Sequence, residues 1–136
     1  MNKKLEWEDK YSVGVQLIDN QHKSMFDTIN LLIDMLSDPS NKGKLDEVIK
    51  RLVEYKRFHF ATEEKYFDEF NYVDAEEHRA KHREFNDKLE EMVKKNEGDS
   101  MSLAYELVDF LEDWLLDHLM VVDQKYVSCF HEHGLK

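Results

Sequence analysis

Three short stretches can turn this chain, and the segments between them repeat with helical period. One proline and four glycines are spread over 136 residues. That is too few for a β-rich fold of this size, in which every hairpin needs turn residues. The turn signals gather in SDPSNKG (37–43), NYVD (71–74) and NEGDS (96–100). Four long segments remain. The first places His22, Met25, Phe26, Ile29, Leu32, Ile33 and Leu36 on one stripe. The second runs through Leu45, Val48, Leu52, Tyr55, His59, Phe60, Glu63 and Tyr66, and the third through Ala75, His78, His82, Phe85, Leu89 and Met92. The fourth runs through Leu103, Leu107, Leu111, Trp114, Leu115, His118, Leu119 and Val122. Four amphipathic helices with short connections predict an all-α fold, an up-down-up-down four-helix bundle. The expectation is one domain over residues 1–136. Residues 1–18 form an irregular N-terminal arm and 19–131 the bundle, with Asp19 or Asn20 capping the first helix.

The formal charge of −11 argues against nucleic acid and anionic membrane surfaces as partners. No apolar run approaches the roughly 20 residues that cross a bilayer. The opening MNKKLEWEDK has no apolar stretch after its lysines, so no signal peptide is expected. Cys129 is the one cysteine, which excludes an internal disulfide and suits a reducing cytoplasm. It is expected to be a small packed residue.

His22, His59, His78, His82 and His118 all sit on the apolar stripes. Singly, each is an ordinary core histidine. Their heights say more. Counted from the end of the bundle that holds the first and third turns, all five fall roughly 21–27 Å along it, at about 1.5 Å per residue. Imidazoles gathered at one level of a core need partners, and a metal supplies one. Glu63 follows His59 by four residues, and His82 follows His78 by four, so each pair shares a helix face. Asp123 follows His118 by five, which on a regular helix turns it roughly 140° away. A local widening is therefore predicted between them, by a π-type turn or a helix end. Five imidazoles and two carboxylates exceed the four ligands of a structural zinc. Nitrogen and carboxylate donors without thiolate suit iron or manganese. Two ions bridged by Glu63 and Asp123 use every donor. One ion has three histidines and the other two, with a position left open.

The set of His22, HFATE (59–63), HRAKH (78–82) and HLMVVD (118–123) resembles the hemerythrins, in particular their single-domain bacterial branch. The likeness extends to WEDKYSVGVQLIDNQH in the arm and to ATEEKYFDEFNY. It departs at Val73, where relatives often carry proline. The resemblance implies a non-haem di-iron centre that binds O2 reversibly. By that likeness His78, His82 and His118 hold one iron, and His22 and His59 hold the other, which keeps the vacant position. Glu63, Asp123 and a solvent-derived oxo or hydroxo group bridge the two. Ferritin-like di-iron bundles instead use Glu-x-x-His motifs, and no histidine here has a glutamate three residues before it.

Met25, Phe60, Trp114, Leu115, Leu119 and Val122 lie within a turn of a ligand and are expected to form an apolar O2 pocket, with Leu115 as its gate. Tyr126 is placed to hydrogen-bond near Asp123. Glu64, Glu76 and Glu77 are expected as surface charges, and His131 and His133 as solvated. The function expected is oxygen storage, carriage or delivery by a cytoplasmic monomer, and not enzymatic turnover. Two alternatives are a di-iron enzyme acting on peroxide or nitric oxide, and an oxygen-sensing module.

Overall fold

The computed structural model describes residues 4–38 and 43–136, so most of the expected first turn lies outside the described residues. Helix α1 covers Gln16–Ser37. The second rod is α2 (Leu45–Tyr55), a π-helical segment (Lys56–Phe60) and α3 (Ala61–Phe70) in unbroken succession. The third is α4 (Ala75–Lys95). The fourth is α5 (Ser100–Trp114), a longer π segment (Leu115–Val122), a 3-10 turn (Asp123–Tyr126) and α6 (Val127–Glu132). α1 packs on α2 and α5, while α4 packs on α3 and α5, so each rod touches two neighbours around a square four-helix bundle. No helix among the described residues is long and apolar enough to cross a membrane.

Helix ends follow local chemistry. Asn71 closes α3 in the left-handed conformation, at φ 50°, one of the few residue types that tolerate it. Asp99 caps α5 by accepting from the Ser102 backbone N–H at 3.1 Å. The start of α1 differs from expectation. It begins at Gln16 with Val15 at the cap position, four residues before Asp19. Asn20 is exposed. Asp19 serves the arm instead, accepting from the Val13 N–H at 2.8 Å and the Ser12 hydroxyl at 2.6 Å. The arm is tied down elsewhere too. Asn30 exchanges two hydrogen bonds with the Leu5 backbone, and Trp7 and Tyr11 pack edge-on against Phe26. Gly14 has φ 69°, and a Cβ there would stand 2.6 Å from His131 Nε2. That nitrogen donates to the Gly14 carbonyl at 3.0 Å. His131 is therefore an anchor for the arm and not merely solvated. His133 likewise stacks on Phe70, centroids 4.4 Å apart.

The apolar interior divides in two. Met25, Ile29, Leu52, Phe60, Phe85, Leu111 and Leu119 belong to the larger cluster. Val15, Ile18, Phe67, Tyr72, Tyr126 and Phe130 belong to the smaller. The divide is legible along each rod. His22 lies between Ile18 and Met25, Glu63 between Phe60 and Phe67, and Asp123 between Leu119 and Tyr126. A polar layer thus separates two dry ones.

Candidate metal centre

Two segments of widened helix aim the polar layer inward. His59 and Phe60 are adjacent and both buried, at 1% and 4% exposure, and the turn that carries them holds one residue more than a regular α-turn. The π segment Lys56–Phe60 absorbs the extra residue. The fourth rod does the same over a longer stretch. Hydrogen bonds from i to i+5 between Leu115 and Val122 bring His118 and Asp123 into line. The Asp123 Oδ1 stands 2.9 Å from His118 Nε2, and Asp123 is fully buried. The widening expected from the five-residue spacing is present. The widening at His59 was not foreseen, because the i, i+4 spacing of His59 and Glu63 needs none.

Seven buried side chains meet here. His22 Nε2 lies 3.1 Å from His59 Nε2 and 3.0 Å from Asp123 Oδ2. Glu63 Oε1 lies 3.1 Å from both His59 Nε2 and His82 Nε2, and 3.7 Å from His78 Nε2. His78 Nε2 lies 3.1 Å from His118 Nε2 and 3.0 Å from Asp123 Oδ1. The donors fall into two groups that share Glu63: Glu63, His78, His82 and His118, and Glu63, His22, His59 and Asp123. Asp123 reaches both groups, one oxygen toward His22 and the other toward His78 and His118.

These separations fit a metal better than hydrogen bonding. Octahedral neighbours on bonds of about 2.1 Å stand about 3.0 Å apart. Both Asp123 oxygens have imidazole nitrogens at about that distance but no hydrogen bond of proper geometry, and Glu63 Oε2 is also unpartnered. Buried acceptors are rarely left so. Within each group the donor atoms all lie within 4.8 Å of one another. Cys129 is half-buried and belongs to the smaller apolar cluster, so no thiolate enters the set.

Charge reinforces the assembly. Burial alone would raise the Glu63 carboxyl, but His59, His78 and His82 outweigh it and hold the group well below the usual range. Burial and the Glu63 charge push Asp123 up, and His118 and His22 pull it far below its ordinary value. Burial opposes protonation of His78, but the facing Asp123 and Glu63 carboxylates raise it from 6.5 to about 9. In the metal-free protein a raised histidine contributes stability that is complete below its unfolded value and lost as pH rises through the folded one. Metal-free protein is therefore expected to lose thermal stability between pH 6.5 and about 9. Protein whose imidazoles are held neutral by metal should not show this loss. Melting scans of both forms across that range check the sign.

The outer contacts bring in residues that the sequence did not single out. His59 Nδ1–H donates to Gln21 Oε1 at 2.7 Å, and Tyr55 stacks on the same ring at 4.7 Å. His82 Nδ1–H donates to Glu64 Oε2 at 3.0 Å. Glu64 is thus no simple surface charge. Its neighbour Arg79 holds it from the far side, at 3.3 Å, while also pairing with Asp68 and Glu76. Glu76 and Glu77 are exposed, as expected. Tyr126 is completely buried near both carboxylates; burial, then the Glu63 and Asp123 charges, raise its hydroxyl well above its ordinary value. The only signal for Gln21 and Glu64 was adjacency to a ligand. Adjacent helical residues diverge by about 100°, so that signal was weak.

The apolar residues divide. Met25, Phe60, Leu115 and Leu119 are buried in the larger cluster beside the histidines. Trp114 is half-buried, its ring stacked on His118 at 4.0 Å, and Phe60 is stacked on His82 at 3.8 Å. Val122 lies apart, in a small depression with Tyr72, Lys81 and Lys125 on the outer side of His78.

Comparison with known proteins agrees with this geometry. A family model described as the hemerythrin HHE cation binding domain matches residues 13–130. The chain is 30% identical to a bacteriohemerythrin of Clostridium acetobutylicum, over 90% of this chain and 98% of that one. It is 35% identical to a bacteriohemerythrin of Pseudomonas paraeruginosa, over 91% of this chain and 80% of that one. Myohemerythrin of Sipunculus nudus is 31% identical over 88% of each chain. Among solved structures, a hemerythrin point mutant superposes with a TM-score of 0.81 at 26% identity, covering 92% of this chain and 95% of that one.

Proposed function

The chain belongs to the hemerythrin family, and from that premise we propose that its buried donor layer holds a non-haem di-iron centre that binds O2 reversibly. The observation that carries this reading is the pair of four-donor groups sharing one carboxylate, all of it buried. His78, His82 and His118 would hold one iron, and His22 and His59 the other. Glu63 and Asp123 would bridge them. The group with one histidine fewer is where O2 enters. When bound, a diferrous pair lends two electrons to O2 and recovers them on release.

The chain's own residues make that exchange reversible. Five neutral imidazoles add no charge to the core, and two carboxylates offset half of the charge of two ferrous ions. Hydrogen bonds from His59 to Gln21 and from His82 to Glu64 fix each ring with Nε2 facing inward. Tyr126, held protonated, has its hydroxyl beside the Glu63 carboxylate. Met25, Phe60, Leu115 and Leu119 keep water from the layer. A monomer in a reducing cytoplasm completes the reading, supported by the single cysteine.

Leu115 is 4% exposed and lies one turn before His118. Leu115→Ala is expected to speed loss of the oxygenated form about tenfold, equivalent to about 1.4 kcal/mol of barrier. It should also cost about 2–4 kcal/mol of stability through the cavity left. Stopped-flow decay of the visible band and urea unfolding read the two effects. The reading as a whole is tested by anaerobic loading with ferrous iron, then cycles of air and vacuum. A visible band that appears and vanishes with O2, at two irons per chain, is the expected result. One zinc per chain, or no metal, overturns it.

A further inference from the structure

Three depressions in the surface have a proposed iron ligand in their walls, and they differ in charge. The one over His59, about 280 Å³, carries Arg51 against Asp27 and Glu54. The one beside His78, about 40 Å³, balances Lys81 and Lys125 against Asp74 and Glu77. The third is a groove of about 710 Å³ between the second rod and α4, with His82 in its floor. Its charged lining is Lys56, Arg57, Arg79 and Arg83 against Glu64 alone. On a chain of net charge −11 this is a local reversal of sign.

Those cations are not all spoken for. Arg79 is engaged by Glu64, Asp68 and Glu76. Among the described residues, Lys56, Arg57 and Arg83 have no carboxylate partner, although their groove opens on an acidic protein. Between them lie apolar Ala61, Phe60 and Val53, the last 45% exposed. An apolar centre inside an arginine-rich polar rim is the pattern of a protein interface. A single small anion would leave most of such a volume open, since one water occupies only about 30 Å³. At physiological salt, charges beyond about 8 Å are screened, so the groove and not the net charge governs close docking.

Glu64 makes the groove more than a patch. Its side chain is 34% exposed, and it is hydrogen-bonded to His82 Nδ1 at 3.0 Å. The pair forms a short bonded route from solvent to the donor layer. We propose that this groove docks an acidic one-electron carrier protein that donates one electron at a time through His82, returning an oxidised centre to its diferrous state. The proposal rests on the di-iron reading above. Each transfer reduces one ferric ion and oxidises the donor protein by one electron. Two transfers and one proton from water convert two ferric ions and an oxide bridge to two ferrous ions and a hydroxide bridge. No bond of the chain is made or broken.

The test uses the full chain, loaded and oxidised, with a reduced acidic [2Fe–2S] ferredoxin as the probe and reduced riboflavin, too small to span the groove, as the control. Iron content is measured first. No bound iron overturns the di-iron reading and this proposal together. With iron bound, Lys56→Glu combined with Arg83→Glu is expected to slow reduction by the ferredoxin about tenfold and to flatten its dependence on salt. Reduction by riboflavin should change less than about twofold, with metal content and visible band unaltered. An unchanged ferredoxin rate, or an equal fall with both reductants, overturns the docking proposal alone.

Discussion

Asp123→Ala is expected to reduce iron uptake from two ions per chain to one or none, and to abolish the oxygen-dependent visible band. Among the described residues, no other side chain places one oxygen 3.0 Å from His22 Nε2 and the other 2.9–3.0 Å from His118 and His78 Nε2. Losing it removes a donor from both ions at once. The metal-free protein should suffer as well. Asp123 is fully buried among His22, His78 and His118, and deleting one partner of a buried charged set costs about 3–5 kcal/mol. Asp123→Asn separates the two effects. It keeps the shape and should lose iron with a smaller loss of stability. Metal analysis and urea unfolding of both variants give the answer. An alanine variant that retains both ions and the band would remove Asp123 from the site.

Iron itself should be among the largest contributors to stability. The polar layer divides the core, and without metal it leaves Glu63 Oε2 and both Asp123 oxygens without hydrogen bonds. A ligand that binds only the folded chain stabilises it by about 4 kcal/mol at a thousandfold excess over its Kd. For a chain of this size each kcal/mol moves the melting temperature by roughly 3–4 °C. Two ions are therefore expected to raise Tm by well over 10 °C, and a strong chelator should reverse the shift. Calorimetry of loaded and stripped protein measures it. Equal melting temperatures would mean that the layer is stable as a purely hydrogen-bonded network.

The reading from sequence did well where periodicity and count decide the outcome. Four stripes, few turn residues and equal heights of five histidines are enough for a bundle with a polar layer. Spacing also located the anomaly at Asp123, because five residues cannot share a face on a regular helix. It erred where direction depends on a neighbour in space. Asp19 has the composition of a helix cap, but the nearby arm claims it through Val13 and Ser12. Glu64 looks like a solvated charge, but α4 brings His82 to its carboxylate and Arg79 behind it. Val122 stands four residues past His118 on the apolar stripe, but the widened helix turns it outward to the side of His78.

From its sequence alone, then, the chain is bound to four amphipathic rods with imidazoles and carboxylates at one level. Hydrophobic period and donor chemistry are local properties of the polymer. Which oxygen faces which imidazole, which rings receive an outer partner, and where a groove of positive charge opens onto His82 were settled only by the packing of rods distant in sequence. The physical reason is that each depends on distances of about 3 Å between side chains on different rods, and a helical turn more or less along either one would undo them.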